Sequence, residues 1–238
     1  MGLRAHGGIP TSPNDTKAHI VIAALALFAE QGVASVSLRQ VNRCVGTRNN
    51  SAAHYHFGDK DKLMESVLQF IQDWFEKCRE RPLLELENKA STGNVSVRDI
   101  IEVWTLPYVK VVRDERWGAD AIKLLARIQL EHDSLSRELH RRVAERVLSR
   151  LKTIVLQSIP DIPQDIVLHR LSYCIYSFVQ GLAVSAFMLN VKDPASIDGF
   201  TALCKVAVDF CVGGMLACSS ITPGCGEFKI LSRINLLF

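Results

Sequence analysis

Residues 37–63 read SLRQVNRCVGTRNNSAAHYHFGDKDKL, and the order of start and stop signals inside this stretch decides the architecture. Ser37 and Gln40 stand at the S-x-x-Q spacing of a capping box, in which the hydroxyl accepts an amide three residues on and the Gln side chain returns the bond. Leu38, Val41 and Val45 share one face of a helix of barely two turns, and Gly46 can stop it in the left-handed conformation without a Cβ penalty. After Thr47-Arg48-Asn49-Asn50, the run Ser51 to Phe57 predicts a second short helix closed by Gly58. Asp59 then caps a long helix through Leu63, Val67, Phe70, Ile71 and Trp74. A short helix, a glycine turn and another short helix is the helix-turn-helix plan, whose second helix enters the major groove while the first crosses the backbone.

Upstream, Ile20, Ala23, Ala24, Leu27 and Phe28 fall on one helical face, with Asn14, Asp15 or Thr16 as cap and Gly32 as terminator. Ile20 to Ala29 imitates the apolar region of a signal peptide, but it lies behind a polar, Pro-containing stretch and runs into Glu30, so it reads as a helix. Met1 to Pro13, with Gly2, Gly7, Gly8, Pro10 and Pro13, is expected to be a flexible leader. Beyond Arg81-Pro82 the chain reads as helices without a convincing strand: Val97–Val112 with an interruption near Pro107, Trp117–Leu130, Leu135 to Val155, Asp165–Leu189 and Ile197–Leu216. The third pairs Glu138 with Arg142 and Arg141 with Glu145 at i, i+4, and Pro160 and Pro163 end it. The segment 218–238 has no functional reading.

The 238 residues are 48% apolar and 22% charged, which excludes disorder and collagen. The net charge of +3 sits wholly in residues 1–60, where Arg4, Lys17, Arg39, Arg43, Arg48 and Lys60 face only Asp15, Glu30 and Asp59. A basic N-terminal quarter suits a polyanion. The seven cysteines, none closer than seven residues to the next, support neither a disulfide framework nor a C-x-x-C site, and the heptad run Cys204, Cys211, Cys218, Cys225 reads as packing in a reducing compartment. Leu171 to Val191 holds 21 residues without a charge, enough to span a membrane, yet it carries Ser172, Ser177, Gln180, Ser185 and Asn190, a load better tolerated inside protein.

The turn and second short helix carry the chemistry. Arg48, Asn49, Asn50, Ser51, His54, Tyr55 and His56 supply forked donors, amides and hydroxyls suited to base edges and phosphates, and Lys60 adds a point charge. Tyr55 serves equally as a core residue, and Phe57 is core before it is contact. His54 and His56 stand about 200° apart around a helix and cannot share a metal ion; no metal site or cofactor is expected. No P-loop, G-x-G-x-x-G, G-x-S-x-G or H-E-x-x-H is present, so no enzyme is expected.

The run from Ile20 to Leu63, above all Gly46 to Leu63 with its Tyr-His-Phe and x-x-Lys-x-x-Leu ending, resembles the DNA-binding domain of the TetR family of bacterial transcription regulators. The resemblance implies an all-α fold: an N-terminal three-helix helix-turn-helix domain (14–62) and a larger helical ligand-binding and dimerisation domain (63–217). It implies a cytoplasmic homodimer that binds double-stranded DNA at a palindromic operator, acts as a repressor and answers a small effector. It also implies that Ser37 and Arg39 touch phosphates, that Arg48, Asn49, Asn50, Ser51 and His54 lie at the groove, and that Tyr55, His56 and Lys60 lock the recognition helix to the DNA backbone. Two departures bear on these contacts: Asn42 replaces the usual small residue where the short helices cross, and the turn is one residue longer than the commonest spacing.

In the C-terminal half, Ser177, Gly181 and Ser185 form a small-residue strip flanked by Phe178, Leu182 and Phe187, and Ala202, Val206, Phe210 and Gly213 form a similar face. Paired under twofold symmetry these predict a four-helix dimer interface centred on Ser177, Gly181, Ser185, Val206 and Phe210. Trp104, Tyr108, Trp117 and Phe178 are the expected lining of a pocket for an apolar effector, against the plainer reading of aromatics as core. The competing function is a helical membrane-associated or structural protein without DNA binding.

Overall fold

The computed structural model describes residues 13–46, 51–130, 138, 145, 149–189, 196–221 and 225–227. Among them every regular element is helical: α1 Pro13–Gln31, α2 Leu38–Val45, α3 Ala52–Phe57, α4 Lys60–Ser91, α5 Val97–Asp114, α6 Gly118–Leu130, α7 over 149–158, α8 Gln164–Met188 and α9 Ile197–Leu216. The expected leader, the turn Thr47 to Asn50, most of the Leu135–Val155 helix with its ion pairs, and most of 218–238 lie outside the described residues.

Helix α1 is buried on more than one side because it serves both halves. Its Ile20, Ala24, Leu25 and Phe28 are fully buried, with α2, α3 and α4 packed on it and α6 closing another face. The 32 residues of α4, about 48 Å at the usual rise, leave the helix-turn-helix and run into the larger bundle. The expected boundary at residue 62 falls within the first turn of α4. Leu63, Val67, Ile71 and Phe75 bury one face of α4, and Leu83 and Leu86 continue the stripe beyond Pro82. α5 likewise runs unbroken through Pro107, contrary to the interruption expected there. A proline inside a helix removes one amide donor and costs about 3 kcal/mol; burial of Trp104, Pro107, Tyr108 and Val111 on one face of α5 works against that cost.

The corner between α5 and α6 is closed by backbone. A Cβ on Gly118 would lie 1.9 Å from the Val111 carbonyl oxygen, so only glycine fits. α8 and α9 pack on each other, with α6 against α8 and α5 against α9. Both are long and apolar enough to cross a membrane. The serine load of α8 is spent locally: Ser172, Ser177 and Ser185 donate to the carbonyls of Leu168, Tyr173 and Gly181, and Gln180 donates to Ala126 O of α6 at 2.6 Å. Cys204 and Cys211 are buried as the packing reading expects, but α9 ends at Leu216, and Cys218 beyond it is exposed.

Candidate nucleic-acid interface

Helix α2 begins as the spacing predicts. Ser37 Oγ accepts the Gln40 amide at 3.3 Å, and Gln40 Oε1 accepts the Ser37 amide at 2.8 Å, a complete capping box. Gly46 closes the helix at φ 67°, in the left-handed region. The Ser37 side chain is thus engaged in the cap, leaving Arg39 and Arg43 as the exposed cations of α2.

The residue that departs from the small one expected at the helix crossing turns out to bind across it. Asn42, only 2% exposed, accepts the Ala53 amide on its Oδ1 at 2.8 Å. Ser51, the N-cap of α3, makes no side-chain capping bond, so Asn42 satisfies from α2 a first-turn donor that a cap would serve. Sequence reasoning saw the departure and missed this role. Its signal was a polar side chain next to Val41 on the buried side of a short amphipathic helix, which demands a partner.

Three further contacts fix α3. Ala52, Ala53 and Phe57 are buried beneath it, and Lys17 Nζ stands 5.7 Å from the centre of the Phe57 ring. Lys60 donates to Ala34 O at 3.1 Å, tying the start of α4 to the turn before α2. Its ammonium holds two more donors for another acceptor. Asp59 caps α4 by accepting the Lys62 amide at 2.8 Å, a bond that holds its carboxyl below the usual range.

What α3 shows to solvent is polar and free of acids. Ser51, His54 and Tyr55 are exposed and His56 is half-buried; Tyr55 is 83% exposed and meets His56 edge to face at 5.3 Å. Tyr55 is therefore surface, whereas Phe57 is core. No Asp or Glu occurs between Glu30 and Asp59. Arg48, Asn49 and Asn50 lie outside the described residues.

In the C-terminal half, Trp104, Tyr108 and Phe178 come together, with ring centres 5.1 to 5.7 Å apart. Trp117 stands at the far end of the same aromatic chain, against Phe70 and Trp74, with Phe75 linking Trp74 to Tyr108 at 6.0 and 4.8 Å; the Trp74 indole donates to Glu115. Ser177, Gly181, Val206 and Phe210 are exposed and Ser185 is half-buried. Phe178 and Leu182 flank the strip on its inner side, about 60° and 100° around α8 from Gly181, and are buried in the core; Phe187 is exposed. One residue escaped sequence reasoning here. Arg79 is buried in the register of Phe75 and Leu83 on α4, and a charge in an apolar stripe was its signal.

Residues 20–67 match the family model described as bacterial regulatory proteins, tetR family, and residues 102–214 match the tetracyclin repressor-like C-terminal domain. The chain is 34% identical over 58 residues to the HTH-type transcriptional regulator AcrR of Shigella flexneri, a match covering 24% of this chain and 26% of that relative. It superposes on GusR of Salmonella enterica with a TM-score of 0.54 at 17% identity, over 87% of this chain and 98% of that one, a likeness of fold. With an N-terminal and a C-terminal model of one family matched in order on an all-helical frame, the chain belongs to the TetR family of transcriptional regulators and carries that family's helix-turn-helix DNA-binding domain.

Proposed function

We propose that this protein is a cytoplasmic, homodimeric repressor that binds a palindromic operator through α2 and α3 and releases it when a small, mainly apolar effector occupies the C-terminal half. The observation that carries the DNA-binding part is the exposed face of Ser51, His54 and Tyr55 on a helix held by Asn42, Phe57 and Lys60, with exposed Arg39 and Arg43 beside it and no acidic residue between Glu30 and Asp59. Rigid support under a polar, acid-free surface is what base and phosphate recognition requires. In this reading Arg48, Asn49 and Asn50 join Ser51 and His54 at the bases, while Ser37, Arg39, Tyr55, His56 and Lys60 face phosphates. Repression is an inference from family resemblance.

A physical link between the halves supports effector control. Arg127 of α6 donates to Glu30 O at the end of α1 at 3.3 Å, and Gln180 of α8 holds the neighbouring Ala126 carbonyl. A ligand that shifts α8 or α6 thus pulls on α1, which carries α2 and α3. Selection of bound fragments from genomic DNA, followed by salt-dependent retardation of the selected duplex, tests the reading. Retention of one sequence with a twofold-symmetric core is the expected result. Indifference to sequence, or sedimentation of the protein with membranes, overturns it.

A further inference from the structure

Helices α8 and α9 meet across a pair of thiols. Cys174 Sγ donates to the Cys211 carbonyl oxygen at 3.6 Å and Cys211 Sγ donates back to the Cys174 carbonyl oxygen at 3.9 Å, so the two residues lie side by side although 37 positions separate them in sequence. The S–H group is a weak donor, and little holds either thiol to its carbonyl. Facing Cα atoms on helices packed about 8–10 Å apart stand about 4–6 Å from each other, a span that a disulfide bridges. The two cysteines are not equivalent. Cys211 is 1% exposed, whereas Cys174, at 5%, sits at the edge of the buried arc of α8, about 20° around the helix from exposed Gly181. The thiols also interact directly: a hydrogen bond from Cys211 favours the Cys174 thiolate and draws its pKa down, while the same contact and burial push Cys211 up. Cys204, buried on the same side of α9, has its thiol pushed up to about 12 by burial, the setting of an inert structural cysteine.

We propose that Cys174 and Cys211 form a peroxide-reactive dithiol, with Cys174 attacking and Cys211 resolving, that closes to a disulfide between α8 and α9. The Cys174 sulfur attacks one oxygen of hydrogen peroxide; the O–O bond breaks, the second oxygen leaves with the thiol proton as water, and Cys174 becomes a sulfenic acid. The Cys211 sulfur then attacks the Cys174 sulfur. The S–S bond forms as the S–O bond breaks, and the Cys211 proton leaves with the hydroxyl as a second water. Two thiols lose two electrons and one peroxide gains them. The product is uncharged, which suits a buried seam better than a thiolate does. Closure brings the sulfurs to about 2.05 Å, so α8 and α9 must shift beneath Tyr173 and Phe210, the exposed neighbours of the two cysteines. Any effect of that shift on subunit pairing rests on the homodimer reading; the dithiol chemistry does not.

The test exposes the reduced full-length protein, native and in urea, to a small excess of hydrogen peroxide, blocks the remaining thiols with N-ethylmaleimide and maps the tryptic peptides. The native protein should yield the Cys174 and Cys211 peptides linked, two hydrogens lighter than their sum and released by dithiothreitol, and its thermal midpoint should rise because the bond closes a long loop. With dimedone present, Cys211→Ala should accumulate the adduct on Cys174, whereas Cys174→Ala should leave Cys211 unlabelled. No linked pair, a linked pair formed only in urea, or a dimedone adduct on Cys211 in the Cys174→Ala protein would each overturn the proposal. Should a variant not fold, the contrast of native and urea samples of the wild type decides alone. Sedimentation velocity of reduced and oxidised protein reads the consequence for pairing, with at least about a fivefold change in the dimer dissociation constant expected. A linked pair with unchanged sedimentation would uphold the dithiol and sink its regulatory role, and a monomer in both states would sink the homodimer reading instead.

Discussion

Asn42 of α2 and Ala53 of α3 are joined by a buried side-chain-to-backbone hydrogen bond of 2.8 Å, eleven residues apart in sequence. The bond joins the two short helices of the helix-turn-helix and takes over the capping that Ser51 does not perform. The angle between the two short helices is thereby set by a specific acceptor as well as by apolar contact, and the orientation of Ser51, His54 and Tyr55 follows from it.

Asn42→Ala should therefore strand a buried amide and cost about 1–3 kcal/mol in urea denaturation, with a matching fall in operator affinity. An unshifted midpoint would mean that the Ala53 amide finds water or another acceptor, and that the crossing angle is set by packing alone.

Tyr55 and Lys60 should separate binding from stability. Tyr55 is 83% exposed, so Tyr55→Ala should leave the urea midpoint within about 0.5 kcal/mol while weakening operator binding. Lys60 holds Ala34 O, so Lys60→Ala should lose about 1 kcal/mol of stability and also lower the salt slope of DNA binding by about one. A salt slope unchanged in Lys60→Ala would confine that lysine to the scaffold.

The helix-turn-helix is legible because its punctuation is local: Ser37 with Gln40, Gly46, Gly58 and Asp59 each act within a few residues, and each does so in the structure. The apolar period likewise locates α6, α8 and α9 to within a residue or so. Pro107 misleads because a local helix-breaking cost says nothing of the burial around it. Asn42 and Arg79 are illegible in role, since their partners, Ala53 and Trp104, lie eleven and 25 residues away. Trp117 cannot be placed in the aromatic chain from sequence for the same reason: its neighbours Phe70 and Trp74 come from a distant helix.

Gly118 should tolerate no side chain. A Cβ there would lie 1.9 Å from the Val111 oxygen and 2.7 Å from the Val112 nitrogen, so Gly118→Ala must displace backbone at the α5–α6 corner. The expected loss is at least about 3 kcal/mol, the upper end for overpacking, and it should appear as a lowered thermal midpoint. A variant as stable as wild type would show that the corner opens freely.

Acid should weaken the start of α5 through Asp99. The Ser96 hydroxyl, then the Lys89 ammonium at 2.9 Å, hold its carboxyl at about 2 instead of 3.8. A depressed folded-state pKa gives stability that is complete above about pH 4 and lost as pH falls toward about 2. Because the pair lies at the surface, its worth is about 1 kcal/mol, well below the full linkage value. Asp99→Asn should lose this increment in urea at neutral pH and nothing near pH 2; an equal loss at both would assign the effect to packing.

Dimerisation through α8 and α9 is the prediction with most structural support. Tyr173, Ser177, Gly181, Val184 and Met188 form one exposed line along α8, and Leu203, Val206, Phe210 and Gly213 form one along α9. Phe187 at 80%, Phe210 at 69% and Val206 at 62% exposure are costly to leave in water and ordinary at an interface. The Ser177 and Ser185 hydroxyls donate to carbonyls of their own helix, so the strip can enter a dry contact without new donors to satisfy. Gly181 makes the test clean, because a Cβ there meets nothing within 4 Å among the described residues of the subunit. Gly181→Leu should then leave subunit folding intact while overpacking the contact by about 1–3 kcal/mol, a roughly 5- to 150-fold weaker dimer. Operator affinity should fall with it, since two recognition helices must lie about 34–36 Å apart to read half-sites one turn apart. Sedimentation velocity and operator retardation on the same samples read both effects. A wild-type monomer, or a Gly181→Leu protein that dimerises and binds DNA normally, would move the interface off this face.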